Sequence, residues 1–226
     1  MGRISSARDR LLDSALELIR ARSYASVGVA QLCEHAGVKK GSFYHFFPSK
    51  EALTVALLDR QWASFGEHAR REAFSPEVPP LVRIRRFIAM HGREQAAARS
   101  SCGRVPGCQF GNLAVELSTL SEPVREKLEA IFAEQAAMLE GALDDAVATG
   151  EIAPLDVPDT ARAILAYVQG MLVLAKLHDR PELLSELACH AAKLVSGGDG
   201  SAASPRARAG AGSADDSRTD RARSPA

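Results

Sequence analysis

The chain lacks any run of eighteen consecutive apolar residues. Its first ten residues, Met-Gly-Arg-Ile-Ser-Ser-Ala-Arg-Asp-Arg, hold no apolar core of a secretory signal. These two absences predict a cytoplasmic protein with no membrane partner. Its four cysteines, Cys33, Cys102, Cys108 and Cys189, contain no CxxC pair and no disulfide framework, as suits a reducing compartment. GxSxG, HExxH, a P-loop and a GxGxxG followed by an acid are all missing, so neither an enzyme nor a bound cofactor is expected. Net charge is missing too: 28 basic side chains balance 28 acidic ones. A neutral chain is a poor architectural DNA protein, which needs a positive surface to neutralise phosphates. No stretch alternates with period two for long, so no sheet is expected and the fold class is all-α.

Hydrophobic residues make up 46% of the chain and charged residues 25%, a soluble globular balance. The charge is unevenly placed. Residues 1–60 carry nine Lys or Arg against six Asp or Glu, a modest basic head on a neutral body. Residues 197–226 are Gly, Ser, Ala, Pro and Arg with almost no large apolar side chain, which predicts a disordered tail.

Residues 5–22 carry an apolar stripe of Leu11, Leu12, Ala15, Leu16 and Ile19 at helical spacing. Residues 30–36 predict a short helix, Gly37 a turn, and residues 40–46 a second short helix. Two short helices around a Gly turn make a helix-turn-helix. Phe43 and Phe47 share one face of the second helix and anchor it. Lys39, Lys40, Ser42, Tyr44 and His45 then fall on exposed faces, with groups that donate to phosphates and base edges. Ser49 caps a long helix running from Lys50 to about Glu72, with Leu53, Ala56, Leu57 and Trp62 inward. A helix moves as a rigid rod, so this one links head to body.

The body reads as five further helices. Pro80 opens one that runs to about Ala98. Residues 100–107 read as a loop, and residues 108–117 as a short helix. Ser121-Glu122-Pro123 starts a long helix that Gly150 stops. Asp156-Val157-Pro158 opens a helix apolar on nearly every face to Leu177, so it is buried in a domain centre or a subunit interface. Pro181 starts the last one.

The stretch Gly37-Val38-x-Lys40-Gly41-Ser42-Phe43-Tyr44-His45-x-Phe47-Pro48-Ser49-Lys50 resembles the DNA-binding signature of the TetR family of bacterial transcriptional regulators. The resemblance covers roughly residues 5–60. It implies a three-helix head over residues 1–50 that binds double-stranded DNA. It also implies a helical effector-binding and dimerisation domain over 51–196, and repression of a palindromic operator by a homodimer, relieved by a small molecule. Carried over by position, Lys40, Gly41, Ser42 and Tyr44 face the major groove, while Tyr44, His45 and Lys50 contact phosphate. Lys39 is an additional candidate. The family usually has Ser or Thr where this chain has Gly28, so one phosphate contact is missing.

Gly107-Cys108-x-x-Gly111-Asn112-Leu113-x-x-Glu116 resembles the body of a TetR subgroup that includes regulators of electrophile response. Cys108 begins a short helix, where backbone N–H groups favour the thiolate and lower the pKa; the alternative is a buried, inert thiol. Cys102 is its candidate resolving thiol, while Cys33 and Cys189 read as core. Lys176 sits in the apolar helix, either reaching solvent along its stem or standing in the effector pocket beside Cys108. His91 completes the effector candidates. His91 and His178 show no metal-ligand spacing, and no metal site is expected.

Overall fold

The computed structural model describes residues 6–195; the expected tail, 197–226, lies outside them. Among the described residues there are nine helices and no strand. They are α1 (Ala7–Ala21), α2 (Val29–Ala36), α3 (Lys40–Phe46), α4 (Lys50–Glu72) and α5 (Pro80–Cys102). After these come α6 (Gln109–Leu117), α7 (Glu122–Ala148), α8 (Val157–His178) and α9 (Leu183–Val195).

The head forms where the hydrophobic stripe predicts it. Ser6 caps α1 by accepting a bond from the Asp9 amide. Leu11, Leu12 and Ala15 are fully buried against α2, α3 and α4. Gly28 caps α2 without a side chain, and Gln31 reaches back to accept from the Gly28 amide at 2.9 Å. Gly37 closes α2 at φ 60, a left-handed conformation that costs glycine little. From there Val38 turns inward, and Phe43 and Phe47 bury to 0% and 3% exposure. Arg10 donates to the Ala36 carbonyl (3.1 Å), and His35 lies 3.0 Å from Ser14 Oγ, tying α2 to α1.

α4 is 23 residues long, about 34 Å. Its N-terminal half closes the head with Leu53, Leu57 and Leu58; its second half packs Trp62, Phe65 and Ala69 into the body. Along α7 it is tied by Lys127–Asp59 and Arg70–Glu134, each 2.7 Å, and by a hydrogen bond from Ser121 to Glu51. One apolar core runs without a break from Leu11 in α1 to Ala191 in α9.

One expectation changes. α5 continues to Cys102, so Ser100, Ser101 and Cys102 belong to a helix and not to a loop. The two serine hydroxyls donate back to the Ala96 and Ala98 carbonyls, which satisfies them within the helix, and nothing breaks it before Gly103. α8, expected in a domain centre or a subunit interface, is buried on one side within its own chain. Ile164, Val168, Met171, Leu172 and Ala175 face α7 and α9, but Val173 and Leu177 are 63% and 72% exposed. By length and composition α8 would suit a membrane span; here one side of it packs in a helical body.

Candidate functional site

α3 is short, and its buried face is set by Phe43. Lys39, Lys40, Gly41, Tyr44 and His45 are exposed and Ser42 is half-buried, so the side chains expected to touch DNA share one open surface. Tyr44 is half exposed and packs edge-on against Phe43 at 5.2 Å, a contact that steadies its ring. Phe46 is 37% exposed beside His45, an apolar element that the polar reading of this surface omitted.

Lys50 does not belong to that open set. Its ammonium donates to the Tyr24 and Val27 carbonyls, both at 2.8 Å, and sits 3.7 Å from the centre of the Tyr24 ring. Burial lowers its pKa, and the nearby Glu116 raises it again. A lysine holding two carbonyls and an aromatic face acts as an internal clamp on the turn between α1 and α2.

Behind the head lies a pocket of about 640 Å³, in the size range of small-molecule sites. Its roof is the end of α1 and the turn after it, through Ile19, Arg20, Arg22 and Ser23. Its walls are α6 and α8, with Phe132 of α7. Cys108 and Lys176 both line it, whereas His91 and Cys102 do not. Leu113, Leu172 and Val173 supply apolar surface. Gln109 is 8% exposed, and neither of its side-chain amide atoms has a partner. Such groups are costly unless something hydrogen-bonds to them.

The strand of loop that brings Cys108 into the wall is held on three sides. Gln95 pairs its side-chain amide with both backbone groups of Gly107, at 2.9 and 3.3 Å. Asn112 donates to the Pro106 carbonyl at 3.0 Å, and Asp179 accepts from the Val105 amide at 2.7 Å. Gly107 takes φ 74, and the Lys176 stem lies 3.0 Å from where a Cβ would stand. A side chain at this position would be strained by that φ and would press on the Lys176 stem.

Cys108 is the N-cap residue of α6, its sulfur accepting from the Gly111 amide at 3.3 Å. Of the two readings of its acidity, the net effect favours the buried thiol. Burial pushes the thiol up; the Gly111 amide, Gln169 and the Phe110 amide pull it down by less, and Glu94 adds to the rise. A nine-residue helix does not offset the loss of water around the sulfur. Lys176 donates to Asn112 at 3.1 Å, with its head exposed and its stem along the pocket, so both readings of this lysine hold in part.

His91 is elsewhere, 4% exposed, stacked on Phe65 at 5.1 Å and edge-on to Phe87 at 4.9 Å. Its Nε2 has no partner, and burial lowers its pKa to about 4. Cys102 is exposed at the end of α5, and Cys33 is buried as expected. The side chain of Cys189 lies outside the described residues. Among the described residues no group of three or more His, Cys, Asp or Glu is placed to hold a metal.

The pocket wall also touches the head directly. Glu116, near the end of α6, accepts from two consecutive backbone amides of the turn after α1, Tyr24 at 3.0 Å and Ala25 at 2.8 Å. Gln109, Gln169, Arg20 and Arg22 are the lining groups that sequence reasoning missed. Glu116 stood in a recognised stretch, but its partner is 91 and 92 residues away, beyond any local pattern.

Residues 11–57 match the family described as bacterial regulatory proteins, tetR family, and residues 80–191 match the tetracyclin repressor-like C-terminal domain. Transcriptional regulator AcuR of Cereibacter sphaeroides is 32% identical over 181 residues, which are 80% of this chain and 81% of that protein. The HTH-type transcriptional repressor DhaR of a Mycobacterium species is 29% identical over 79% of this chain and 87% of its own length. The crystal structure of Escherichia coli NemR in its reduced form superposes with a TM-score of 0.72 at 27% identity, covering 84% of this chain and 98% of that one.

Proposed function

The chain belongs to the TetR family of bacterial regulatory proteins, and we propose that it is a cytoplasmic repressor that binds a palindromic operator as a homodimer and lets go when a small molecule enters the pocket. That it is a transcriptional regulator and not an enzyme follows from the family; the rest is our reading. The head is taken as residues 1–50 and the effector and dimerisation domain as 51–196. The observation that carries the reading is the position of the pocket, roofed by α1 of the head itself. An occupant would therefore touch the DNA-binding unit without an intermediary. Lys39, Lys40, Gly41, Ser42, Tyr44 and His45 are the DNA-contacting residues in this reading.

The bare apolar edge of α8, with Val173, Leu174 and Leu177, supports a dimer in which α8 and α9 pack against their mates as a four-helix bundle. Two heads on one dimer then call for two half-sites about one helical turn apart, or a multiple of it.

The test is selection of DNA fragments by the full chain, then footprinting. The expected footprint is two-fold symmetric, and small molecules that raise the melting temperature of the protein should release the DNA. An asymmetric footprint, or ligands that bind without changing DNA affinity, would sink the proposal. A second reading, release by an electrophile at Cys108, is favoured by the placement of that thiol in the wall of the pocket that Lys176 also lines. It predicts that a quinone or an aldehyde releases DNA from wild type and from Cys102→Ser, but not from Cys108→Ser, with a weaker response in Lys176→Met. Equal release from Cys108→Ser would leave only the non-covalent ligand.

A further inference from the structure

We propose that Glu116 is the positioning residue through which occupancy of the pocket reaches the DNA-binding head, and this rests on the pocket being the effector site. The geometry starts on α6. Cys108, Asn112 and Glu116 are spaced four apart, so they form one line along the helix. Cys108 and Asn112 stand at the end of the pocket that faces Lys176 and α8. Glu116 stands at the other end and holds the Tyr24–Ala25 turn by two hydrogen bonds. The opposite face of α6 carries Phe110 and Leu117, both buried, with Phe110 against Trp62 and Phe65 of α4. The helix is thus seated in the body by its apolar face and joined to the head by one carboxylate.

The turn that Glu116 holds is gripped from its other side as well. Lys50, the first residue of α4, donates to the carbonyls of Tyr24 and Val27, while Glu116 accepts from the amides of Tyr24 and Ala25. The two side chains are close enough for Glu116 to raise the Lys50 pKa against burial. A turn with two amides held from the body and two carbonyls held from α4 has little freedom of its own. It follows whichever of the two moves. Residue 28 then leads straight into α2 and the helix-turn-helix.

The pocket lies in the angle between this clasp and α8. A molecule placed among Ile19, Leu113 and Leu172 separates the end of α1 from α6. Both hydrogen bonds of Glu116 cross that separation. Packed helices move between discrete arrangements and do not deform evenly, so a displaced α6 either takes the turn with it or releases it. In either case the α2–α3 pair changes its angle to α4. The charged bond to two amides is directional and short, which makes it a sensitive connection for a movement of about an ångström.

The test is a double-mutant cycle on operator affinity with the full chain, using pocket-filling substitutions in place of an unidentified ligand. Cys108→Phe and Ala114→Phe each fill the pocket from α6. Each is made in the wild type and in Glu116→Ala, with Glu116→Gln as the conservative variant that keeps one acceptor. Amide hydrogen exchange is read on the same proteins, with amides of the α7 core as the check that each is folded. In the wild-type background at least one filled pocket should weaken operator binding about tenfold, within the 5–150-fold span of typical allosteric couplings. Exchange of the Tyr24 and Ala25 amides should quicken. In Glu116→Ala those amides should already exchange fast, and filling the pocket should change operator affinity less than about twofold, because coupled sites are not additive. Glu116→Gln should lie between. A role in stability alone predicts equal weakening in both backgrounds, and that result overturns the proposal. So does a filled, folded protein whose Tyr24 and Ala25 amides stay protected and whose operator affinity is unchanged. Failure of the effector reading is separate: it would show as no small molecule affecting DNA binding, whatever the cycle gives.

Discussion

His91 is a neutral side chain held in an aromatic core, and its behaviour with pH follows from that. The folded protein takes up this proton only near pH 4, whereas an unfolded chain takes it up near the ordinary value of 6.5. Between those values the unfolded state binds more protons, so stability rises with pH across the window and is lost as pH falls from 6.5 toward 4. The full effect is up to about 3 kcal/mol. Thermal melts at pH 7.5 and pH 5 should show a drop for wild type and a smaller one for His91→Leu, which carries nothing to protonate. An equal drop in both would assign the acid sensitivity to another group.

Cys108 yields a second prediction at this scale. Burial raises its thiol pKa, so at pH 7.5 iodoacetamide should label the exposed Cys102 first. The Cys108 rate should still be climbing above the ordinary thiol value, as read by mass spectrometry on Cys102→Ser protein. Saturation near pH 7 would mean an activated thiolate. The sequence could not decide this, since position at a helix start is local while the water around a sulfur depends on α5, α6 and α8 together.

At the scale of the element, α8 presents a clear contrast between two leucines five residues apart. Leu172 is 1% exposed inside its own chain and Leu177 is 72% exposed. Leu177→Glu should leave the fold intact, within about 0.5 kcal/mol for a surface change, and give monomers in sedimentation. Leu172→Glu should destabilise the chain itself, by more than about 3 kcal/mol, because a charge enters the core. If Leu177→Glu remains dimeric, the interface lies on another face. Periodicity marked this helix as apolar all round without saying which side faces its own chain, because that is set by where α7 and α9 lie.

The head is the element most legible in the sequence. α3 falls on Lys40–Phe46 and α4 on Lys50–Glu72, as the caps and breakers predict. Gly37, Pro48 and Ser49 act on the backbone within a few residues of themselves. α5 was read four residues short because serine in a loop and serine bonded back to its own helix look the same in composition. Phe43→Ala should remove the anchor of α3 at a cost of about 3–5 kcal/mol and abolish operator binding, while the α5–α9 helical signal persists.

For the whole molecule, zero net charge with a basic head means that attraction to DNA is local. Salt should then act through a few contacts. Lys39→Ala and Lys40→Ala should each reduce the slope of log affinity against log salt by about one per head. Titrations between 50 and 200 mM salt would show it, and an unchanged slope would mean that the lysine neutralises no phosphate. Lys50→Ala should act differently. Since its ammonium holds the Tyr24–Val27 turn, it should lower the melting temperature of the head more than it changes the slope.

What the sequence determined by itself is whatever depends on residues near each other in the chain: an all-helical protein, a helix-turn-helix over residues 29–46, the exposed set on α3, and a cysteine at the start of α6. What only the tertiary structure decided is where distant groups meet. It turned Lys50 inward, placed His91 in the aromatic core and not in the pocket, and raised the Cys108 pKa. It also joined Glu116 to a turn 91 residues earlier in the chain. The reason is physical. Helix starts and stops are set by hydrogen bonds within one turn, whereas burial, pocket shape and long-range hydrogen bonds are set by how rigid helices pack.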